Sequence, residues 1–209
     1  MSEYEFTYFG CRGRGHHTRY LLKDQGIACE EVIVDFKDWP VLKPKMEFGQ
    51  LPCLKDGDFQ LVQSNAILRH LGRTHGLYGS NNREAAMIDM LNDGVEDERM
   101  KYTNMIYKNY EAGKEPYINN DMKNFLMNFE KLVSSNNGGK GFAVGNQTSF
   151  VDYNLFDMLD NLTVLSPGCL DDYPVLKAYH ERMINRPGVK AYRDTDEHKN
   201  MAINGNGKQ

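Results

Sequence analysis

The sequence predicts an α/β unit in the amino-terminal part of the chain and a purely helical region after it. Two observations lead to this prediction. Short stretches typical of strands occur only within residues 1–76, where they alternate with helical patterns in the order βαβ and then ββα. Beyond the turn-rich residues 77–82, apolar residues follow helical spacing and no convincing strand pattern occurs. We therefore expect two domains, at 1–76 and 83–209, joined by a linker at 77–82.

The elements of the first domain are predicted from periodicity and turn chemistry. Polar and apolar residues alternate at the start of the chain, which places Tyr4, Phe6 and Tyr8 on one face of a strand. Asp56-Gly57-Asp58 separates two further apolar stretches and is typical of a hairpin turn. Ser64 is a favourable residue for the start of the helix that follows. The predicted elements are strands at 3–9, 28–34, 53–55 and 59–62 and helices at 15–26 and 65–75.

Helix start signals organise the second domain. Ser149 and Asp152 have the spacing of a capping box, with Asp in place of the usual Glu or Gln. Pro174 and Pro187 lie where a proline is well tolerated, in the first turn of a helix. The predicted helices are 83–110, 117–135, 150–165, 174–185 and 188–194.

Composition and charge narrow the kind of protein. The chain has 209 residues and a formal net charge of -4, which disfavours nucleic acid or an anionic membrane as its main partner. Its apolar runs are too short to cross a bilayer, and its first residues lack the basic stretch and apolar core of a secretory signal. Cys11, Cys29, Cys53 and Cys169 show no CxxC or metal-ligand spacing and suit reduced thiols. We expect a cytoplasmic protein without a metal site.

Three features of the first domain lie where α/β proteins gather ligands, at strand ends and helix starts. Tyr8 ends the first strand beside a glycine-rich basic turn at 11–15. Gln50-Leu51-Pro52 leads into the third strand, and Gln63-Ser64 joins the fourth strand to its helix. A residue before proline is held extended. If the Leu51-Pro52 bond is cis, the main chain of Leu51 faces outward and pairs with an extended peptide.

The charges around these features indicate the kind of ligand. Ser64 offers a hydroxyl and helix-start N–H groups to one carboxylate, and Arg14, Trp39 and Lys43 lie within reach of a second. Together they predict a site for a small, extended peptide with two carboxylates and a phenol near its middle. Each feature also has a structural interpretation, since a strand tyrosine is usually core and Ser64 is usually a helix cap. Their occurrence together in one small domain favours the binding site.

Longer segments extend these short motifs. They include Phe48-Gly-Gln-Leu-Pro52, Val62-Gln-Ser-Asn65, Asn92-Asp-Gly-Val-Glu-Asp97, Ile106-Tyr-Lys-Asn-Tyr-Glu-Ala-Gly-Lys114 and Ile203-Asn-Gly-Asn-Gly-Lys-Gln209. Through them the chain resembles the pi class of cytosolic glutathione S-transferases over almost its whole length. The resemblance implies a thioredoxin-like amino-terminal domain, an all-helical carboxyl-terminal domain, a homodimer, and glutathione as co-substrate without a further cofactor.

Carried over by position, the resemblance assigns residues to the thiol and to both ends of glutathione. Tyr8 matches the tyrosine whose hydroxyl holds the glutathione sulfur, and Leu51 matches the residue whose main chain pairs with the cysteinyl unit. Asp97 matches an acid that reaches the glutamyl amino group across the dimer interface. The other implied contacts are Arg14, Gln63 and Ser64 around the γ-glutamyl end and Trp39, Lys43 and Gln50 near the glycyl carboxylate.

The resemblance also implies a second pocket and a dimer contact. Phe48 falls where an aromatic side chain inserts between helices of the partner subunit, near Met90, Leu91 and Gly94. The residues that fall where the family lines its electrophile pocket are Phe9, Cys11, Phe36, Tyr107 and Gly205.

The chain departs from the family pattern in the first domain. It is shorter than mammalian pi enzymes between Trp39 and the matching lysine, so Lys45 is an alternative to Lys43. Met46 occupies the position of a reactive cysteine in mammalian members, which predicts that thiol-based regulation is absent there.

The expected activity is conjugation of glutathione to hydrophobic electrophiles, with Tyr8 stabilising the thiolate. Lowering a thiol pKa by about two units takes about 2.7 kcal/mol, and one hydrogen bond to an anion contributes roughly 1.5–3 kcal/mol. A glutathione-dependent isomerase or peroxidase is an alternative that uses the same thiolate. A ligand carrier or an inhibitor of signalling kinases is an alternative of another class. A thioredoxin-type reductase is disfavoured because no CxxC follows the first strand.

Overall fold

The computed structural model describes residues 4–209, which form two compact units. The first unit extends to Leu71 and also contains Arg186–Gly207, whereas the second comprises Gly72–Asn185 and the last two residues. Glu3, with which the first predicted strand begins, lies outside the described residues.

A four-stranded mixed sheet forms the centre of the first unit, which confirms the predicted α/β fold class. The strand order is β2-β1-β3-β4, with β1 parallel to β2 and antiparallel to β3, and β3 antiparallel to β4. Tyr8 lies opposite Ile33 of β2, and Thr7 lies opposite Cys53 of β3. Tyr8 is the next-to-last residue of β1, so its side chain lies at the carboxyl-terminal end of this central strand. The strands are β1 (Tyr4–Phe9), β2 (Cys29–Val34), β3 (Cys53–Asp56) and β4 (Phe59–Val62).

The predicted helices at 15–26, 65–75, 150–165, 174–185 and 188–194 agree with the structure to within two residues at each end, whereas the other two differ. The single helix predicted at 83–110 is interrupted at Asn109, and a new helix begins at Tyr110. The helix predicted at 117–135 begins with a π-helical turn at Tyr117–Met122, which follows this new helix directly. The last helix was not predicted, because it has only five residues. Its first turn is capped by the side chain of Thr195. The helices are α1 (His16–Asp24), α2 (Trp39–Leu42), α3 (Ser64–Thr74), α4 (Asn82–Lys108), α5 (Tyr110–Pro116), α6 (Lys123–Ser135), α7 (Phe150–Leu165), α8 (Pro174–Ile184), α9 (Pro187–Arg193) and α10 (Asp196–Asn200).

Helix α7 forms the core of the second unit and is almost completely buried. The capping box predicted at its start is present, with the N–H and hydroxyl of Ser149 donating to Asp152 Oδ2 at 2.8 and 2.9 Å. Further along, Asp157 forms an ion pair with Arg99 of α4 at 2.9 Å, and the Arg99 guanidinium also donates to Asn154 Oδ1 at 2.8 Å. Removing one partner of a buried ion pair strongly destabilises a folded protein. This pair therefore helps to hold α4 against α7.

The packing groups the chain differently from the sequence division at 76 and 83. Helix α9 lies so close to α1 that a Cβ on Gly188 would be 2.4 Å from Asp24 Cα. Arg186 forms an ion pair with Asp24 at 2.6 Å, and Arg193 donates to the Tyr20 hydroxyl at 2.8 Å. These contacts join residues 186–207 to the sheet unit. Across residues 4–209, we find no helix both long enough and apolar enough to cross a bilayer.

Candidate active site

The hydroxyl of Tyr8 lies against the glycine-rich turn that follows β1. The main-chain N–H of Arg14 donates to the phenol oxygen at 2.8 Å. A Cβ on Gly13 would lie 2.5 Å from that oxygen, and a Cβ on Gly15 would lie 2.5 Å from the Tyr8 Cδ1 atom. Only glycine therefore permits this close approach of main chain and ring. A phenol that accepts a hydrogen bond becomes a stronger donor, which suits a group that holds an anion.

A buried arginine supports the same tyrosine. Arg19 of α1 donates to the carbonyl oxygens of Cys11 and Phe9 at 2.7 and 3.0 Å and forms an ion pair with Glu31 at 2.5 Å. Its guanidinium lies 5.6 Å from the centroid of the Tyr8 ring. Arg19 was not predicted from the sequence as part of the site. The available signal was its position three residues before the buried Leu22, on the apolar face of α1.

The two short motifs of the first unit meet in the structure. The Leu51-Pro52 peptide bond is cis, and the side-chain amide of Gln63 donates to Gln50 Oε1 at 3.3 Å. Gln63 has φ of 73°, a left-handed conformation that is costly outside glycine and concentrates at functional positions. Ser64 begins α3 and is buried, so its main-chain N–H belongs to the open first turn of a helix. The structure thus brings Gln50, Leu51, Gln63 and Ser64 together.

Trp39 and Lys43 lie on the segment that precedes this turn. Trp39 begins α2 and packs edge-on against Phe9, with ring centroids 5.4 Å apart. The aliphatic chain of Lys43 folds along Gly49, with its Cγ and Cε atoms 3.3 Å from where a Cβ on that glycine would lie. The Lys43 side chain therefore packs against Gly49, the residue directly before Gln50.

Several of the predicted electrophile-pocket residues group within the first unit. Phe9 and Phe36 stack with ring centroids 4.6 Å apart, and 57% of Phe36 remains exposed. The main chain of Cys11 forms an isolated parallel β-bridge with Ala202. This pairing brings the segment that carries Gly205 to the turn after β1. Tyr107 lies on α4 of the second unit and is 50% exposed.

Phe48 and Asp97 are both exposed. Phe48 has 77% of its surface exposed and φ of 60°, an unusual conformation for a bulky residue. Asp97 of α4 lines an open cavity of about 490 Å³ in the second unit. The other walls of this cavity include Gly94, Phe129 and Leu132.

The cysteines of residues 4–209 are unpaired thiols with little nucleophilic character. Burial raises the pKa of Cys29, Cys53 and Cys169 to about 11, and it also raises the pKa of Cys11. These groups are therefore thiols and not thiolates at neutral pH.

His16 follows the glycine-rich turn and is fully buried. Burial lowers the pKa of His16 well below its usual value, with Arg12 and Arg19 adding to the effect, so its ring is neutral. Among residues 4–209, no group of three or more His, Cys, Asp or Glu side chains is placed to hold a metal ion.

Comparison with known proteins places the chain in a family. The models for the glutathione S-transferase N-terminal and C-terminal domains match residues 4–73 and 96–196. Glutathione S-transferase P 1 of Bufo bufo is 54% identical over 209 residues, which covers 99% of each chain. Glutathione S-transferase P of Homo sapiens is 52% identical over 211 residues, which covers 100% of each chain. The solved pi-class glutathione S-transferase of Onchocerca volvulus has a TM-score of 0.96 at 44% identity and covers 99% of this chain and 100% of its own.

The fold and the site define a thioredoxin-like protein that carries an additional helical region and presents a tyrosine beside a cis-proline turn. This class includes enzymes of several activities, and the comparisons narrow it. The chain belongs to the glutathione S-transferase family, within its pi class, and is a transferase that uses glutathione.

Proposed function

We propose that Tyr8 holds the glutathione sulfur as a thiolate, which then attacks the electrophilic carbon of a hydrophobic substrate. The observation that carries this proposal is the 2.8 Å hydrogen bond from the Arg14 N–H to the Tyr8 hydroxyl. It orients the phenol oxygen and strengthens its O–H as a donor to an anion. The raised pKa values of Cys29, Cys53 and Cys169 support the proposal, because they leave the substrate thiol as the nucleophile.

The rest of the glutathione site follows from the neighbours of Tyr8. The main chain of Leu51 pairs with the cysteinyl unit, and the start of α3 at Ser64 receives the γ-glutamyl carboxylate. The strained conformation of Gln63 supports this assignment, since such strain persists where function requires it. Arg14 and Gln63 complete the γ-glutamyl end, and Trp39, Lys43 and Gln50 surround the glycyl carboxylate.

The reaction forms a carbon–sulfur bond. A free thiol with a pKa of about 8.5 is only a few per cent ionised at neutral pH, so stabilising the thiolate increases the reactive fraction. The thiol proton leaves to solvent, the sulfur lone pair forms the new bond, and the electron pair displaced from carbon goes to a leaving group or to an oxygen of the substrate. Tyr107 donates a hydrogen bond to that oxygen when the electrophile is an epoxide or an enone. Phe9, Cys11, Phe36 and Gly205 complete the apolar wall.

The active enzyme is a homodimer in this proposal. Phe48 is a large, exposed aromatic residue in a costly backbone conformation, which supports a role in contact with another chain. The cavity of about 490 Å³ lined by Gly94 and Phe129 offers a partly apolar place for it in the partner subunit. Asp97, on the rim of that cavity, reaches the glutamyl amino group of glutathione bound in the partner. Glutathione is a co-substrate here, no further cofactor takes part, and the unpaired thiols suit the cytoplasm.

Replacing Phe48 by alanine should shift the protein from dimer to monomer at micromolar concentration. The reason is that truncating a buried aromatic residue at the centre of an interface commonly costs 2 kcal/mol or more, roughly a 30-fold loss of affinity. Sedimentation equilibrium measures the mass, and Phe59→Ala, at another exposed aromatic of the sheet unit, serves as a comparison. An unchanged mass for Phe48→Ala would argue against this residue as the dimer contact.

The test of the proposed function is the ultraviolet absorbance of the glutathione thiolate in the binary complex, measured against pH. We expect a midpoint about two units below that of free glutathione, since Tyr8 favours the charged form. Glutathione that binds but titrates as it does in water would make this chain a carrier, and a chain that does not bind glutathione would contradict the site.

A further inference from the structure

The turn that supports Tyr8 is itself held by the carboxyl-terminal part of the chain. The N–H groups of Arg12 and Gly13 donate to the carbonyl oxygens of Ala202 and Ile203 at 2.8 and 3.0 Å. The very next N–H along the chain is that of Arg14, which donates to the Tyr8 hydroxyl at 2.8 Å. Three consecutive N–H groups therefore link the distant segment, the turn and the phenol oxygen.

A buried polar cluster anchors this segment on its other side. His198 is only 3% exposed, and its Nε2 atom lies 3.0 Å from the Tyr20 hydroxyl, which also accepts from Arg193 at 2.8 Å. Thr195 caps the helix that carries His198, accepting from its N–H at 3.2 Å. The His198 side chain is therefore fixed in the interior four residues before Ala202.

Arg19 connects the two sides. Its guanidinium donates to Cys11 O at 2.7 Å and to the sulfur of Met201 at 3.5 Å, so it touches both the turn and the segment that holds it. Displacing residues 201–203 would remove acceptors from Arg12 and Gly13 and a contact from Arg19 at once. The turn would then lose the restraints that aim the Arg14 N–H.

We propose that residues 195–203, called here the carboxyl-terminal strap, position the Arg12–Arg14 turn and thereby set how strongly Tyr8 acidifies glutathione, with His198 as the anchoring residue. This inference rests on the proposed role of Tyr8. His198 is a positioning residue, since it acts on the thiolate only through the strap and the turn. The acidity of the bound thiol is thus tuned from a site that needs no contact with either substrate.

The test replaces the anchor and measures the thiol. His198→Phe keeps a ring in the aromatic cluster but removes the nitrogen that pairs with Tyr20, and His198→Gln keeps a polar group on a side chain of similar length. Glu197→Gln, at an exposed position of the same helix, is the matched control. For each variant the thiolate absorbance of bound glutathione is titrated against pH, and glutathione affinity and the melting temperature are recorded.

We expect His198→Phe to raise the pKa of the bound thiol by roughly half a unit or more, about the effect of one weakened hydrogen bond to the anion. Glutathione affinity should change little, His198→Gln should return part of the shift, and Glu197→Gln should match the wild type. A lower melting temperature with an unshifted thiol pKa would overturn the inference, because His198 would then only stabilise the fold.

Two further outcomes are distinguishable. If His198→Phe does not fold, Thr195→Ala loosens the same helix by removing its cap, and an unshifted thiol pKa in that variant would equally overturn the inference. If the wild-type complex shows no lowered thiol pKa, the proposed function itself fails and the strap has nothing to tune.

Discussion

Replacing Tyr8 by phenylalanine should lower kcat/KM for conjugation by roughly 10- to 100-fold at pH 6.5, the factor equivalent to losing one hydrogen bond of about 1.5–3 kcal/mol to the thiolate. The pKa of the bound thiol should rise toward that of free glutathione, because the charged form loses its donor. The direction of this pKa shift determines how the loss of conjugation rate depends on pH. Below the thiol pKa of the variant fewer sulfurs are ionised than in the wild type, whereas well above it both proteins carry the thiolate. The difference in rate should therefore shrink as the pH rises to about 9.

A tyrosine on the same strand provides the control for this substitution. Tyr4 is buried like Tyr8 but lies four residues earlier, where its ring contacts His70. Tyr4→Phe should leave the bound thiol pKa unchanged even if it alters stability. Stopped-flow rates and the thiolate absorbance of both variants give the comparison. Equal thiol pKa values in Tyr8→Phe and the wild type would falsify the role of the phenol.

Gly13→Ala should reduce kcat/KM on the order of 100-fold, although the new methyl group touches neither substrate. A Cβ at this position would lie 2.5 Å from the Tyr8 hydroxyl, closer than non-bonded atoms approach. Relief of the clash must move the phenol oxygen or the turn by a substantial fraction of an ångström. A misplacement of about 1 Å at a reacting centre can cost about 10²-fold. The 2.8 Å hydrogen bond from Arg14 should be lost at the same time.

Gly26 offers a matched control, since it shares the strained conformation but not the contact. Gly13 has φ of 40° and Gly26 has φ of 65°, and a Cβ on Gly26 would meet nothing within 4 Å. Both substitutions therefore place an alanine in a left-handed conformation, which costs roughly 1 kcal/mol or more of stability. Only Gly13→Ala should change the thiol pKa and the conjugation rate. If the two variants lose activity equally, backbone strain and not the approach to Tyr8 explains the glycine.

The sheet could be predicted because its signals are local. Alternation around Tyr4, Phe6 and Tyr8 and the hairpin turn at 56–58 need only neighbouring residues, and both elements are present in the structure. The short helix α10 could not be predicted in the same way. Its five residues carry no apolar periodicity, and its stability comes from the burial of His198 against residues near the start of the chain.

The site residues show the same contrast between local signals, which could be recognised in the sequence, and long-range contacts, which could not. Gln50, Gln63 and Ser64 were identified from motifs at strand and helix ends, and the structure brings them together. Their assignment to particular groups of glutathione stays a prediction. The pairing of residues 12–13 with 202–203 was missed, because main-chain hydrogen bonds over such a sequence separation leave no pattern in the residue types. Arg19 was missed although its position on the buried face of α1 was a signal.

The inclusion of residues 186–207 in the sheet unit bears on how the chain folds as it is made. The strands of that unit leave the ribosome before Gly72–Asn185, yet helices α9 and α10 leave it after them. Domains usually fold in the order of their synthesis. Here Gly72–Asn185, which make up nearly all of the second unit, are translated before the first unit has all of its parts. A nascent chain in which residue 185 has left the ribosome and residue 186 has not should therefore hold a folded helical unit and an unfinished sheet unit, and the tyrosine site should appear only after residues 186–207 have emerged.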